Sequence, residues 1–124
     1  MAGSSSSTGL ASTIFHPVSE KLGRNNHSTW RAQVLATIRG ARLEGYLTGV
    51  SKKPAVQIDD KDGDKTVRFI NPAYEDWLAF DNQVLSFLLT SVSKDLLVQV
   101  AAKETASEVW NATEHMFEIG RAHV

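Results

Sequence analysis

INPAYEDWLAFDNQVLSFLLTSVS, residues 70–93, is the longest apolar stretch of the chain and decides the fold that the sequence predicts. Asn71 followed by Pro72 is the pattern of a helix start, because asparagine caps free N–H groups and proline fits the first helical position. We predict a helix from there to about Ser91. Its apolar side chains cover more than one face, so the helix needs packing partners on at least two sides.

Two shorter helical segments precede this long helix. HSTWRAQVLATIRGA, residues 27–41, carries Trp30, Val34 and Ile38 at intervals of four residues, which is one apolar stripe of a helix. The following RLEGYLTG predicts a short helical turn that ends at Gly49.

Two more helices are predicted after the long one. Ser93 is expected to cap KDLLVQVAA, and Thr105 with Glu108 forms the T-x-x-E capping box that opens ASEVWNATEHMFE. Five helical pieces with mostly short connections predict an all-α fold, a small helical bundle.

Residues 50–70 differ in character from the rest. VQI and TVRFI flank the acidic DDKDGDK, and Asp62-Gly63 is a hairpin turn signal. We therefore expect this segment to form either a two-stranded hairpin or a mobile loop. A calcium loop of the EF-hand type is excluded by position. With Gly63 as its sixth residue, its first and last ligands would be Ile58 and Phe69. The acidic residues therefore belong to a turn.

The composition describes one ordinary globular domain of 124 residues, 42% hydrophobic and 22% charged. The absence of cysteine excludes disulfides, thiolate nucleophiles and cysteine-based zinc sites. Residues 1–14 are rich in Ser and Gly and are predicted to be disordered. No segment predicts a transmembrane helix or a secretory signal, so we expect a cytoplasmic protein with no membrane partner, a nuclear location staying open.

The net charge of −1 argues against electrostatic binding of nucleic acid by the whole chain. The charge is uneven, however. Residues 18–49 carry five basic and two acidic side chains, and residues 71–124 carry three basic and eight acidic ones. A solvated surface explains this asymmetry, and head-to-tail complementarity between copies is the alternative.

No residue pattern predicts catalysis. The four histidines show no ligand spacing along one helix, and the phosphate-binding pattern G-x-x-x-x-G-K-[ST] is absent. We therefore predict that the chain is not an enzyme and that it binds no cofactor, no metal and no small-molecule substrate.

The three tryptophans, one on each main helix, are predicted to share one core. Asp81 falls near the apolar stripe of the long helix, and a buried carboxylate needs a partner. We hypothesise an ion pair with Arg31 or Arg39.

EKLGRNNHSTWRAQVLATIRGARLEGYLTG, residues 20–49, resembles the opening of the Gag polyproteins of plant copia-type LTR retrotransposons. NPAYEDWLAFDNQVLSFLLTSVSKDLLVQVAAKETASEVWNATEHMF, residues 71–117, is similar to the continuation in that family. His27 stands where the family usually has tyrosine, a departure expected to weaken one core contact. The resemblance implies that residues 15–118 form a copia-type Gag N-terminal helical domain. Its pattern side chains, predicted to form the core, are Leu22, Trp30, Leu35, Ile38, Tyr46, Leu47, Trp77, Asp81, Leu85, Leu88, Trp110 and Phe117.

The resemblance implies a structural protein. Capsid-like helical domains of Gag self-associate into a particle around the element's RNA, and a downstream zinc knuckle supplies the RNA contact. It therefore implies self-association with other Gag copies, and RNA binding only through downstream segments. The open alternatives are a stand-alone domesticated Gag-like adaptor that binds other proteins and a gene fragment without function.

Half of the long helix is expected to bury against the first and last helices. The residues predicted for that contact are Trp77, Leu78, Leu85 and Leu88. The remaining apolar side chains would meet a further segment or another subunit, which makes Phe80 and Phe87 the candidate self-association residues.

IGRAHV, residues 119–124, is also the translation of ATCGGAAGAGCACACGTC, which matches a common sequencing-library adapter. We hypothesise that these residues are adapter read-through at the end of a truncated gene model. The alternative is a family-like continuation, which Arg121-Ala122 loosely resembles.

Overall fold

The computed structural model describes residues 15–122 of the chain. The tail predicted over 1–14 lies outside the described residues, as do residues 123–124 of the segment attributed to an adapter. The backbone of residues 119–122 continues the last helix.

The described residues form five helices and one two-stranded antiparallel sheet. In chain order the elements are α1 (His27–Gly40), α2 (Glu44–Thr48), β1 (Gln57–Asp62), β2 (Lys65–Ile70), α3 (Pro72–Thr90), α4 (Lys94–Val100) and α5 (Ala106–Ala122). The predicted number of helices is confirmed. Of the two alternatives for residues 50–70, the hairpin is the one observed. The chain is therefore mostly helical with a small sheet, and the all-α prediction is wrong in that respect.

Asn71 both caps α3 and closes the base of the hairpin. Its side-chain oxygen accepts from the N–H of Ala73 at 3.0 Å, with Pro72 in the first helical position as predicted. Its side-chain Nδ2 donates to the carbonyl of Ala55 at 2.9 Å, and its backbone N–H donates to the carbonyl of Val56 at 2.9 Å. The hairpin is thus tied to the start of α3 by one residue.

The hairpin turn has the chemistry that its sequence predicts. The strands pair without a break up to Asp62 opposite Lys65, which leaves Gly63 and Asp64 as a two-residue turn. Gly63 has a φ of 67°, whereas Asp64 is not among the residues with positive φ. Glycine at the first central position is the pattern of a type II′ turn, which matches the twist of the flanking strands.

The last two helices begin close to the predicted positions. Ser93 occupies the N-cap of α4, but its side chain accepts no capping hydrogen bond. At α5 the hydroxyl of Thr105 accepts from the N–H of Glu108 at 3.3 Å. The Glu108 carboxylate accepts from the N–H of Glu104 at 2.8 Å, one residue before the predicted partner. The capping box is therefore half confirmed, its return bond being displaced by one residue.

α1 ends in a Schellman motif that has no glycine. The N–H of Leu43 donates to the carbonyl of Ile38, and the N–H of Arg42 donates to that of Arg39, each at 3.0 Å. Arg42 takes the left-handed conformation with a φ of 63°. Glycine usually occupies this position, because a side chain there clashes with the backbone.

One core collects side chains from every helix. Trp30 of α1, Leu47 of α2, Leu88 of α3, Val100 of α4 and Val109 of α5 are each 1% exposed or less. Leu22 joins this core from the segment before α1, where it bridges to Val92 in parallel fashion.

The three tryptophans do not share this core as predicted. Trp30 and Trp110 stack with ring centroids 5.8 Å apart. Trp77 instead packs 5.8 Å from the ring of Tyr46, and its Nε1 donates to the carbonyl of Ser51 at 3.0 Å. It therefore fastens the segment before the hairpin to α3.

We expect Arg42→Gly to raise the free energy of unfolding by about 1 kcal/mol, because glycine removes the clash of a left-handed arginine. The matched control is Ala36→Gly, at an exposed position inside α1, which should lower it by about 1 kcal/mol. Urea unfolding followed by circular dichroism measures both. Loss of stability in both variants would contradict the role assigned to Arg42.

Candidate interaction surface

The side chains that carry the Gag-like pattern gather inside the helical body. Nine of the twelve are buried, and the other three are half-buried. The half-buried ones are Tyr46, Leu85 and Phe117. These residues therefore build the domain, and a surface for function has to be sought elsewhere.

Asp81 joins the middle of α3 to the start of α5. Its side chain is 1% exposed, and its Oδ1 accepts from the N–H of Ala106, the first residue of α5, at 3.2 Å. A carboxylate at this position satisfies a free N–H group and faces the positive end of the helix dipole. The other oxygen, Oδ2, has no hydrogen-bond partner among the described residues.

Burial raises the pKa of Asp81 above its ordinary value of 3.8, and the hydrogen bond from Ala106 opposes this shift. The negative charge of Glu108 raises the pKa further, and the positive charge of Lys53 lowers it. Burial has the largest effect, because removing a carboxylate from water disfavours its charged form.

The predicted ion pair between Asp81 and an arginine of α1 is wrong. Arg31 donates from Nε to Glu114 on α5 at 2.9 Å, and Arg39 donates from Nε to Glu44 at 3.0 Å. Both arginines therefore have other carboxylate partners. Charge pairing could not identify the true partner of Asp81, because that partner is a neutral backbone N–H.

His27 is held between aromatic rings in the core. Its ring stacks on Phe117 with centroids 4.4 Å apart and an interplanar angle of 4°, and it lies 6.1 Å from the ring of Trp30. Its Nε2 is 3.5 Å from Oε1 of Glu114. The histidine thus packs against the aromatic side chains of the core, and the weakening expected from its departure from the family pattern stays a prediction.

The two candidate self-association residues lie within the domain. Phe87 is 7% exposed, with its ring 5.2 Å from that of Phe15. Phe80 is half-buried, with its ring 6.0 Å from that of Tyr46. Leu78, which was predicted to be buried, is 37% exposed. The placements of Leu78 and Phe87 are therefore the reverse of those predicted, because the segment before α1 covers the Phe87 side of α3.

The exposed large apolar side chains concentrate in the hairpin and its flanks. Seven of the eight found among the described residues lie between positions 50 and 78, and the eighth is Val98. The seven are Val50, Val56, Ile58, Val67, Phe69, Ile70 and Leu78. All residues of both strands are exposed, and the strands pack mainly on each other rather than on the helices.

Strand alternation divides the hairpin into two faces. The face that we call the apolar face holds the directly opposed pairs Ile58–Phe69, Asp60–Val67 and Asp62–Lys65. The face that we call the polar face holds Gln57–Ile70, Asp59–Arg68 and Lys61–Thr66. On the polar face Arg68 donates from Nε to Asp59 at 3.0 Å. The large apolar groups thus concentrate on one side.

An open groove of about 460 Å³ lies beside α3. Its lining side chains, all uncharged, are Phe15, Ala79, Asn82, Gln83, Ser86, Phe87 and Thr90.

Within residues 15–122 no group of three or more metal-ligating side chains comes together. No helix in this part of the chain combines the length and apolar character needed to cross a bilayer.

Comparison of the chain with protein-family models, with curated proteins and with solved structures finds no match. The resemblance to copia-type Gag therefore stays a prediction from the sequence pattern.

We expect Phe87→Ala to lower the free energy of unfolding by about 3–5 kcal/mol, since it removes a buried aromatic ring. Leu78→Ala on the same helix should change it by less than about 0.5 kcal/mol, because the leucine side chain is exposed and lies outside the core. Chemical denaturation of both variants measures the difference. Equal losses would contradict the observed rotational setting of α3.

We expect Asp81→Ala to lower the free energy of unfolding by about 1–3 kcal/mol, because it leaves the buried N–H of Ala106 unsatisfied. Asp81→Asn keeps an acceptor oxygen and should cost less.

The same residue should make stability depend on pH. The raised pKa of Asp81 means that the folded state binds a proton more tightly than the unfolded one. Its contribution to stability is therefore full below pH 3.8, the ordinary pKa that applies in the unfolded chain, and is lost as the pH rises through the higher folded pKa. Denaturation measured at a series of pH values from below 3.8 upward should show this loss of unfolding free energy in the wild type and not in Asp81→Asn. Identical pH profiles for the two chains would contradict the assignment.

Proposed function

We propose that this chain is a structural module that assembles with further copies of itself, as the resemblance to copia-type Gag implies. The proposal assigns no catalysis and no cofactor to the chain. It places the protein in the cytoplasm, and it leaves contact with RNA to downstream segments of a Gag polyprotein.

The observation that carries this proposal is the apolar face of the hairpin. Ile58, Val67 and Phe69 are 36%, 44% and 39% exposed, while the helices close a core of their own. A two-stranded hairpin is marginally stable by itself in water, and clustered exposed apolar groups are typical of interaction sites. Self-association is a common use of such a surface, because most soluble oligomers are symmetric assemblies of one chain.

The positions of the pattern residues also support the resemblance. Asp81 and Ala106 both lie in the second stretch that resembles the family, and in the structure the Asp81 carboxylate accepts from the N–H of Ala106, 25 positions further along the chain. Trp30 of the opening stretch likewise donates from Nε1 to the carbonyl of Ser91, at 3.0 Å. Residues that are far apart in the pattern thus hold one another in place, as expected if the pattern specifies a single fold.

We expect the average mass in solution to rise with concentration, from one chain of 13.6 kDa toward larger species. Sedimentation equilibrium between about 10 μM and about 1 mM measures this, because dissociation constants in that range correspond to a weak association of about −7 to −4 kcal/mol. A mass of one chain throughout would contradict the proposal and favour the adaptor alternative.

A further inference from the structure

We propose that the apolar face of the hairpin is a homodimer contact. In this contact the hairpins of two copies stack face to face about a two-fold axis parallel to their strands, so that β1 of each copy lies over β2 of the other. The inference rests on the proposed function and names the surface through which copies meet.

The apolar face has the apolar groups that such a contact needs. Ile58 and Phe69 are directly opposed across the strands, and Val67 lies two positions along β2 on the same face. Side chains on facing sheets interdigitate when the sheets stack about 10 Å apart, so these three groups would fill the space between two hairpins. Both strands are exposed along their whole length, which leaves the face open to a second copy.

The charges select the direction of stacking. On the apolar face β1 carries Asp60 and Asp62, whereas β2 carries Lys65 and no acidic residue. A two-fold axis parallel to the strands places β1 over β2 of the other copy, with unlike charges together. An axis across the strands would place β1 over β1, with like charges together.

The register makes the apolar face complementary to itself under the first axis. Ile58 then lies over Phe69 of the second copy, and Asp62 lies over Lys65 of the second copy. The third pair, Asp60 over Val67, adds no complementary contact, so the first two pairs carry the association. Each of these contacts occurs twice because of the symmetry. A second copy of this chain is therefore the partner whose chemistry fits the face.

Pairing at the strand edges fits the charges less well. Edge pairing of β1 with β1 brings together two strands that each carry three negative charges and one positive charge, and edge pairing of β2 with β2 brings together two strands with two positive charges each. Edge pairing of β1 with β2 is head-to-tail and does not close. Face stacking alone combines closure with opposite charges. Three apolar side chains per copy bury less than the roughly 1,200 Å² at which stable interfaces begin, so the dimer is weak.

The first test compares two threonine substitutions on one strand. Phe69→Thr removes the largest group of the apolar face, and Ile70→Thr makes a similar change on the polar face. Threonine favours strands, so the hairpin is retained in both variants, and amide hydrogen exchange of residues 57–70 verifies this. By sedimentation equilibrium we expect Phe69→Thr to raise the dimer dissociation constant about tenfold or more and Ile70→Thr to change it less than about twofold. Equal effects would overturn the inference.

The second test exchanges the charges. Asp62→Lys and Lys65→Asp each place like charges in contact within a homodimer, so each variant alone should dimerise more weakly than the wild type. Their equimolar mixture restores both pairs between chains and should dimerise more tightly than either variant alone. These exposed pairs are screened by salt, so the measurement is made at low ionic strength.

The double variant Asp62→Lys with Lys65→Asp is the control for effects within one hairpin, where the same two positions face each other across the turn. In this variant positions 62 and 65 still carry opposite charges, both within one hairpin and between two copies. It should therefore dimerise as the wild type does. A mixture no tighter than its components would overturn the inference.

The outcomes separate this inference from the proposed function. A wild-type chain that stays monomeric overturns both. A wild-type chain that associates with the same dissociation constant as Phe69→Thr overturns the hairpin contact and leaves the proposed function standing.

Discussion

The fold depends on one buried carbonyl group, that of Ser91 at the end of α3. It accepts from the N–H of Leu22 at 2.8 Å and from Nε1 of Trp30 at 3.0 Å, so both of its lone pairs are used. Ser91 is 3% exposed, and a buried carbonyl without partners would cost about 1–3 kcal/mol. The segment before α1, α1 itself and the distant end of α3 are therefore held in one relative position.

A second buried joint, from Asp81 to Ala106, fixes the start of α5 against α3 in the same way. Ala106 is fully buried, so little room is left for a larger side chain beside the carboxylate. The two joints together close the helical body with its own residues. Most of the large apolar groups that this body leaves exposed lie in the hairpin and its flanks, and the surface that we propose for assembly therefore lies outside the helical core.

The hairpin is held in a defined position although it packs little on the helices. Asn71 uses its backbone N–H and both polar atoms of its side chain to connect the hairpin base to the first turn of α3. Trp77 fastens the preceding segment through the carbonyl of Ser51. A surface presented in a fixed orientation loses less conformational freedom on association, which favours a weak contact between copies.

The sequence by itself determined the features that depend on neighbours along the chain. Asn71-Pro72 starts α3, Gly49 ends α2 and Gly63 turns the hairpin, because capping and turn conformations are set within a few residues. The apolar stripe of α1 was evident for the same reason, since helical periodicity is local.

The tertiary structure alone decided which partner each buried group meets. Periodicity shows that Phe87 and Leu78 are apolar, but only the packing of the segment before α1 places Phe87 inside and leaves Leu78 outside. The position of Asp81 near an apolar stripe predicts that its carboxylate has a partner. That partner is the backbone N–H of Ala106, which no residue pattern in the sequence indicates. The left-handed Arg42 is likewise set by the burial of Leu43 at the end of α1, which outweighs the local preference for glycine.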